Sequence, residues 1–123
     1  MAELQVVGGD LVLRLSVAEK IGGVHGDFRV PLSALRSIEV VEDAHGPADG
    51  GIKLGTRIPD SIEVGTVWSN GRKTFAVVHP GTPRGLWVVL EGSSYDEWIV
   101  GCADPETVAQ AIMARLTRRM PPP

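Results

Sequence analysis

The dipeptide Asn70-Gly71 is the feature that most constrains how this chain folds. Both residues tolerate the positive φ angles of a two-residue hairpin turn, and β-favouring residues flank them on both sides. With these two residues as the turn, Ser69 faces Arg72, and the same register fixes every other pair along the two strands. The dipeptide therefore predicts an antiparallel hairpin.

The register of this hairpin assigns its side chains to two faces. The predicted core face contains three cross-strand pairs, Thr66 with Phe75, Val64 with Val77 and Ile62 with His79. The opposite face contains the pairs Val67 with Thr74 and Gly65 with Ala76. Because these side chains are small and less apolar, we expect the second face to meet solvent or a partner.

Alternation of apolar and polar residues predicts further strands on both sides of the hairpin. These strands span residues 4–7, 11–17, 28–30, 36–42, 86–91 and 95–102. In the second of them, the predicted core side carries Leu11, Leu13, Leu15 and Val17. Tight turns are expected at 8–10 and 92–94, one helical turn at 31–35, and an exposed loop at 43–51, which is rich in turn-forming residues.

A single helix is predicted at the C-terminal end. Asp104 is suited to the N-cap, Pro105 to the first helical position and Glu106 to the positive end of the helix dipole. An apolar stripe follows at four-residue spacing and indicates a face that packs on the rest of the domain. It comprises Val108, Ile112 and Leu116, with Ala109 and Met113 beside them.

Composition indicates one soluble domain over residues 1–123, with a proline-rich tail at 120–123. Hydrophobic residues make up 43% of the chain and charged residues 22%, and no apolar run approaches the roughly 20 residues of a membrane span. The N-terminus lacks the basic-then-apolar order of a signal peptide, and Cys102 has no second cysteine to pair with. We therefore expect a cytoplasmic protein in a reducing compartment.

The charge of the chain bears on its partners. A net charge of −3 gives no general attraction to nucleic acid or to anionic membranes, so we expect no nucleic-acid partner and no stable membrane association. The basic residues are nine arginines and three lysines, a bias that accompanies GC-rich coding and hints at a bacterial source.

The order of elements, short strands followed by one capped helix, resembles the pleckstrin-homology-like (PH-like) superfold. Three phrases resemble those of small uncharacterised bacterial proteins of this class: Val30-Pro31-Leu32-Ser33, Gly55-Thr56-Arg57-Ile58-Pro59 and Asp104-Pro105-Glu106. The resemblance covers nearly the whole chain. It implies a mostly β fold, a bent antiparallel barrel of seven or eight strands capped by the C-terminal helix.

The same resemblance implies several kinds of binding. Phosphoinositide-binding members use basic residues in the loop between the first two strands, whereas here that loop reads Gly8-Gly9-Asp10. The pattern therefore does not extend to lipid headgroups by that route. Other members bind peptides or act as scaffolds, so the fold alone assigns no function.

No motif in the chain predicts catalysis, a metal or a cofactor. The histidines His25, His45 and His79 share no ligand-like spacing, and His79 is expected at a strand end in contact with solvent. Cys102 ends an apolar strand, a context typical of an inert buried thiol. We predict no catalytic residue, no metal ligand and no cofactor.

Basic residues and one tryptophan form the candidate ligand site. We expect these side chains to converge at one end of the barrel, where they would form an anion site: Lys53, Arg57, Trp68, Arg72, Lys73 and Arg84. Trp87 and Trp98 are expected to fill the core, while Trp68 lies beside the hairpin turn, across the ladder from Lys73.

Three hypotheses for function follow. The leading one is a non-enzymatic interaction module that recognises a protein segment at an exposed strand edge. The alternative is a binder of small molecules or phosphate-bearing anions through the basic loops. The third is a small enzyme that uses His79 or a carboxylate pair. Homodimerisation through a strand edge or the helix stays open.

Overall fold

The computed structural model describes residues 2–17, 19–20, 26–42, 44, 52–57, 63–69, 71–79 and 81–119. Within this part the strands are β1 (Glu3–Val7), β2 (Asp10–Arg14), β3 (Phe28–Pro31), β4 (Leu35–Val41), β5 (Ile52–Arg57), β6 (Glu63–Ser69), β7 (Arg72–Val78), β8 (Gly85–Leu90) and β9 (Glu97–Gly101). A 3-10 turn (Leu32–Ala34) precedes β4, and one long helix, α1 (Pro105–Arg119), follows β9. The protein is mostly β with one C-terminal helix, as the sequence predicts.

The strands form two sheets. The smaller sheet has the order β1-β2-β3, and the larger has the order β4-β8-β9-β7-β6-β5. All neighbouring strands are antiparallel except β7 and β9, which run parallel because β9 inserts between β7 and β8. Neither sheet closes on itself within the described residues, so the expected all-antiparallel barrel differs from the structure.

The hairpin prediction is confirmed in its register. Ser69 faces Arg72, Thr66 faces Phe75 and Val64 faces Val77. Ile62, the predicted partner of His79, and the predicted turn residue Asn70 lie outside the described residues. Gly71 has a φ of 75°, which a residue with a Cβ rarely adopts.

The second face of the hairpin was predicted to meet solvent or a partner, and the structure shows that it does not meet solvent. Val67, Thr74 and Ala76 are all buried. Ala76 belongs to a second apolar cluster, which also contains Ala44, Val78 and Ile99. Sequence alternation did not show this, because the covering residues come from distant parts of the chain.

Strand β2 ends at Arg14, earlier than predicted, and Val17 is 72% exposed instead of buried. The cause is a reciprocal pair of hydrogen bonds beyond the strand. The Ser16 N–H donates to Glu19 Oε1 at 2.7 Å, and the Glu19 N–H donates to Ser16 Oγ at 3.2 Å. This capping box starts a helical turn and takes the chain out of the sheet. The predicted loop 43–51 lies outside the described residues except for Ala44.

The main core lies between the two sheets and α1. Its aromatic centre is Phe28, whose ring centroid is 4.6 Å from Phe75, 5.0 Å from Tyr95 and 5.5 Å from Trp98. The helix packs against β1, β4 and β8, with Ile112 fully buried. Its start is as predicted, because Asp104 Oδ1 accepts a hydrogen bond from the Thr107 N–H.

The described part of the chain contains no helix long and apolar enough to cross a membrane.

Candidate functional site

The predicted basic site is not assembled as expected. Arg72 lies beside Glu97 at the start of β9, with 3.3 Å between the guanidinium and the carboxylate. Arg84 lies at the opposite end of β9, where its carbonyl accepts a hydrogen bond from the Cys102 N–H. At about 3.3 Å per residue, the length of β9 separates the two arginines by more than about 13 Å. The expected convergence of Arg84 with Arg72 and Lys73 is therefore wrong.

Arg84 connects secondary-structure elements to one another. It forms ion pairs with Glu42, which follows β4, and with Glu106, in the first turn of α1. The hydrogen bonds to Glu106 and then Glu42 raise the pKa of Arg84. The hydrogen bond from Arg84 lowers the pKa of Glu106. The guanidinium is thus engaged by two carboxylates and is poorly placed for an external anion.

Trp68 and Lys73 lie together at the hairpin end, as predicted. Trp68 is 39% exposed, and Lys73 Nζ lies 5.9 Å from its ring centroid and 4.4 Å from that of Tyr95. The backbones of Lys53 and Arg57 pair with Val67 and Glu63, and their side chains lie outside the described part. Of the six predicted residues, the structure brings Trp68, Arg72 and Lys73 together at one end of β7.

Two buried carboxylates were missed by sequence reasoning. Glu97 is 8% exposed and accepts hydrogen bonds from Thr74 Oγ1 and Trp87 Nε1, both at 2.9 Å. With Arg72 also beside it, every oxygen of this carboxylate has a donor. The arrangement links Glu97 to the neighbouring strands β7 and β8.

The second buried carboxylate is Glu19, which is fully buried. Its Oε2 lies 2.6 Å from His79 Nε2 and accepts the Ala2 N–H at 3.1 Å, while Oε1 accepts the Ser16 N–H. Burial raises the pKa of Glu19, but the hydrogen bonds from His79 and Ser16 together lower it by more. The pKa of Glu19 therefore lies below its ordinary value. His79 lies directly after β7 as a half-buried partner of Glu19, with 19% of its side chain exposed, so its contact with solvent is only partial.

Two further features bear on the reactivity of these side chains. Burial raises the pKa of the Cys102 thiol, which favours the unreactive neutral form. Among the described side chains, no group of three or more His, Cys, Asp or Glu residues could hold a metal ion.

A groove lined by described residues lies between β1 and α1. Two adjoining hollows of about 290 and 360 Å³ lie along it, and both are lined by Leu4, Gln5 and Val108. The first extends along the helix to Ala111, Ile112 and Arg115. The second extends over Leu86 and Val100 to Cys102. The residues that line the groove are largely apolar.

The backbone of β1 gives this groove a row of hydrogen-bonding groups. Gly8-Gly9 form a two-residue turn, so Val7 and Asp10 are a hydrogen-bonded pair, as are Gln5 and Val12. The N–H and C=O groups of Leu4 and Val6 consequently point away from β2, toward the outer edge. No described residue bonds to them, since β1 is the edge of its sheet. We name this region the β1–α1 groove.

Comparison with known proteins gives no assignment: no protein-family model, no curated protein and no solved structure matches this chain. Function is therefore argued from the geometry of the chain itself.

Proposed function

We propose that this protein is a non-enzymatic interaction module that binds an extended segment of a protein partner, adding it as a strand to β1. The observation that carries this proposal is the open outer edge of β1, where no described residue pairs with the strand. There, the backbone groups of Leu4 and Val6 point into an apolar groove walled by α1. Strand addition uses these two elements, since main-chain hydrogen bonds supply affinity and pockets receive alternate side chains.

The competing proposal, anion binding by basic loops, has less support. Arg72 and Arg84 are paired with carboxylates, and Lys73 lies over the ring of Tyr95. An anion would have to displace these partners, whereas the outward backbone groups of Leu4 and Val6 have no described hydrogen-bond partner to displace.

A relationship to the PH-like superfold is part of the proposal and agrees with peptide binding, which some of its members perform. The succession of strands before a C-terminal helix supports the relationship, while the parallel pairing of β7 with β9 departs from it.

Filling the groove is expected to abolish binding. The probe is a peptide selected on the wild-type protein from a displayed random library. Ala111 is exposed and lines the groove, so Ala111→Trp should block the peptide without disturbing the core. We expect binding about tenfold weaker or worse by fluorescence anisotropy, as for loss of a central interface contact.

Ala114→Trp is the matched control, because Ala114 is also exposed on α1 but does not line the groove. Equal binding by the two tryptophan variants, or a library that yields only peptides indifferent to Ala111→Trp, would overturn the proposal. The groove could instead hold a second copy of the chain, and light scattering tests this. In that case the wild type would be dimeric and Ala111→Trp monomeric.

Removal of one outward N–H is expected to weaken the same peptide. Val6→Pro deletes a donor that faces the groove and retains the hydrogen bonds between β1 and β2, and edge positions of this kind accept proline. Loss of one main-chain bond should weaken binding about tenfold. Arg29→Pro removes an outward N–H from β3, at the opposite edge of the same sheet, and should leave affinity unchanged. Melting curves check that both variants fold.

A further inference from the structure

We infer, on the basis of the proposed function, that the bound segment carries two apolar residues and one acidic residue at alternate positions. The apolar residues lie opposite Leu4 and Val6, and the acidic residue follows two positions further on, toward Gly8. The ligand is thus an acidic-apolar peptide in extended conformation. The pattern follows from which side chains of the β1–α1 groove lie opposite each position of an added strand.

The two apolar positions are those opposite Leu4 and Val6. Cross-strand neighbours place their side chains on the same face of a sheet, so the added residues lie on the face that Leu4 and Val6 present. Both of these residues are half-buried and pack against the main core. The residues facing them across the groove are Val108 and Ile112 of α1. A polar side chain there would lose its hydration without gaining a partner.

The position opposite Leu4 also borders the larger hollow. The hollow is lined by Leu86, Val100 and the half-buried Cys102, and its volume of about 360 Å³ has room for a branched or aromatic side chain. We therefore place the larger of the two apolar residues at this end of the groove.

The acidic position is defined by Arg115. This exposed residue lies at the other end of the groove, where its Nη2 donates to the Gly8 carbonyl at 3.1 Å. Within the described part of the chain it has no carboxylate partner. Five other basic residues do form ion pairs there: Lys20, Arg29, Arg36, Arg72 and Arg84. Arg115 retains guanidinium donors beyond the one used by Gly8, and a ligand carboxylate would accept them.

Selection from the random displayed library on wild-type and Arg115→Glu protein tests the charge. We expect wild-type binders to be enriched in Asp or Glu at one position and Arg115→Glu binders in Lys or Arg at the same position. The acidic peptide should bind Arg115→Glu about fivefold more weakly, as for loss of an exposed ion pair. Arg29→Glu makes the same charge change on β3 and should leave affinity unchanged.

The outcomes separate this inference from the proposed function. One outcome is a set of binders that Ala111→Trp blocks but that have no preferred charge, with no change of preference on Arg115→Glu. This outcome would overturn the acidic position and leave strand addition standing. Binders that Ala111→Trp fails to block would remove both.

Alkylation of Cys102 tests the apolar position. As the only cysteine in the chain, it reports on the larger hollow through its reaction rate with iodoacetamide. We expect the selected peptide to slow this reaction severalfold and the same peptide with Asp at its larger apolar residue to lose the protection. Full reactivity of Cys102 under saturating peptide would show that the hollow stays empty and overturn this assignment.

Discussion

Gly85→Ala is expected to lower the free energy of unfolding by about 3 kcal/mol, because a methyl group at this position has no space. A Cβ on Gly85 would overlap the Val100 carbonyl oxygen and lie 2.9 Å from its carbon. Both atoms belong to the backbone of β9, which is held between β7 and β8. The strands must separate to admit the methyl group, and the ladders on both sides oppose this.

Two further glycines make a graded control. A Cβ on Gly81 meets nothing within 4 Å, so Gly81→Ala should change stability by about 0.5 kcal/mol or less. A Cβ on Gly101 would lie 3.3 Å from Thr82 O and Val78 Cα, and its effect should fall between the other two. Urea denaturation measures the three values. Equal stability of the Gly85 and Gly81 variants would contradict the packing described for β8 and β9.

Local signals in the sequence predicted the elements that local chemistry determines. The Asn70-Gly71 turn fixed the register of β6 and β7, and Asp104 with Pro105 fixed the start of α1. The Ser16–Glu19 capping box is equally local but was missed. The alternating run through Leu15 and Val17 favoured a continued strand over the same residues.

The order of strands could not be predicted, because pairing between distant segments leaves no local signature. Ala76 lies on the hairpin face that was predicted to meet solvent or a partner. The parallel pairing of β9 with β7 instead places Ala76 in the second apolar cluster. The same strand order places Arg84 and Arg72 at opposite ends of β9, so the predicted basic cluster does not form.

Only the kind of candidate site, a strand edge, could be expected from the sequence, and recognition at such an edge stays a prediction. The sequence indicated recognition at a strand edge, but which edge lies open depends on sheet order and on the position of α1. The groove needs Val108 and Arg115 to lie beside Leu4 and Val6, and these pairs are about a hundred residues apart in the chain.

Glu19→Ala is expected to cost about 3–5 kcal/mol of unfolding free energy, the range for removing one partner of a buried charged network. The carboxylate accepts hydrogen bonds from Ala2, Ser16 and His79, which come from three separate segments. Alanine leaves these donors without their acceptor at a position where the Glu19 side chain is fully buried. Glu19→Gln keeps the size of the side chain and one acceptor oxygen, so its loss should be smaller. Denaturation at neutral pH gives both values, and equal losses would mean that the size of the side chain and its one remaining acceptor oxygen contribute nothing.

Acid titration isolates the charge of Glu19. Its pKa in the folded protein lies below the ordinary value of 4.5, so the carboxylate contributes stability above that pH. The contribution is lost as the pH falls through the lowered folded pKa, where the folded state also takes up a proton. The difference in unfolding free energy between wild type and Glu19→Ala should therefore shrink as the pH falls below 4.5. Parallel stability curves through this acid range would show that the ionised carboxylate does not secure Ala2, Ser16 and His79.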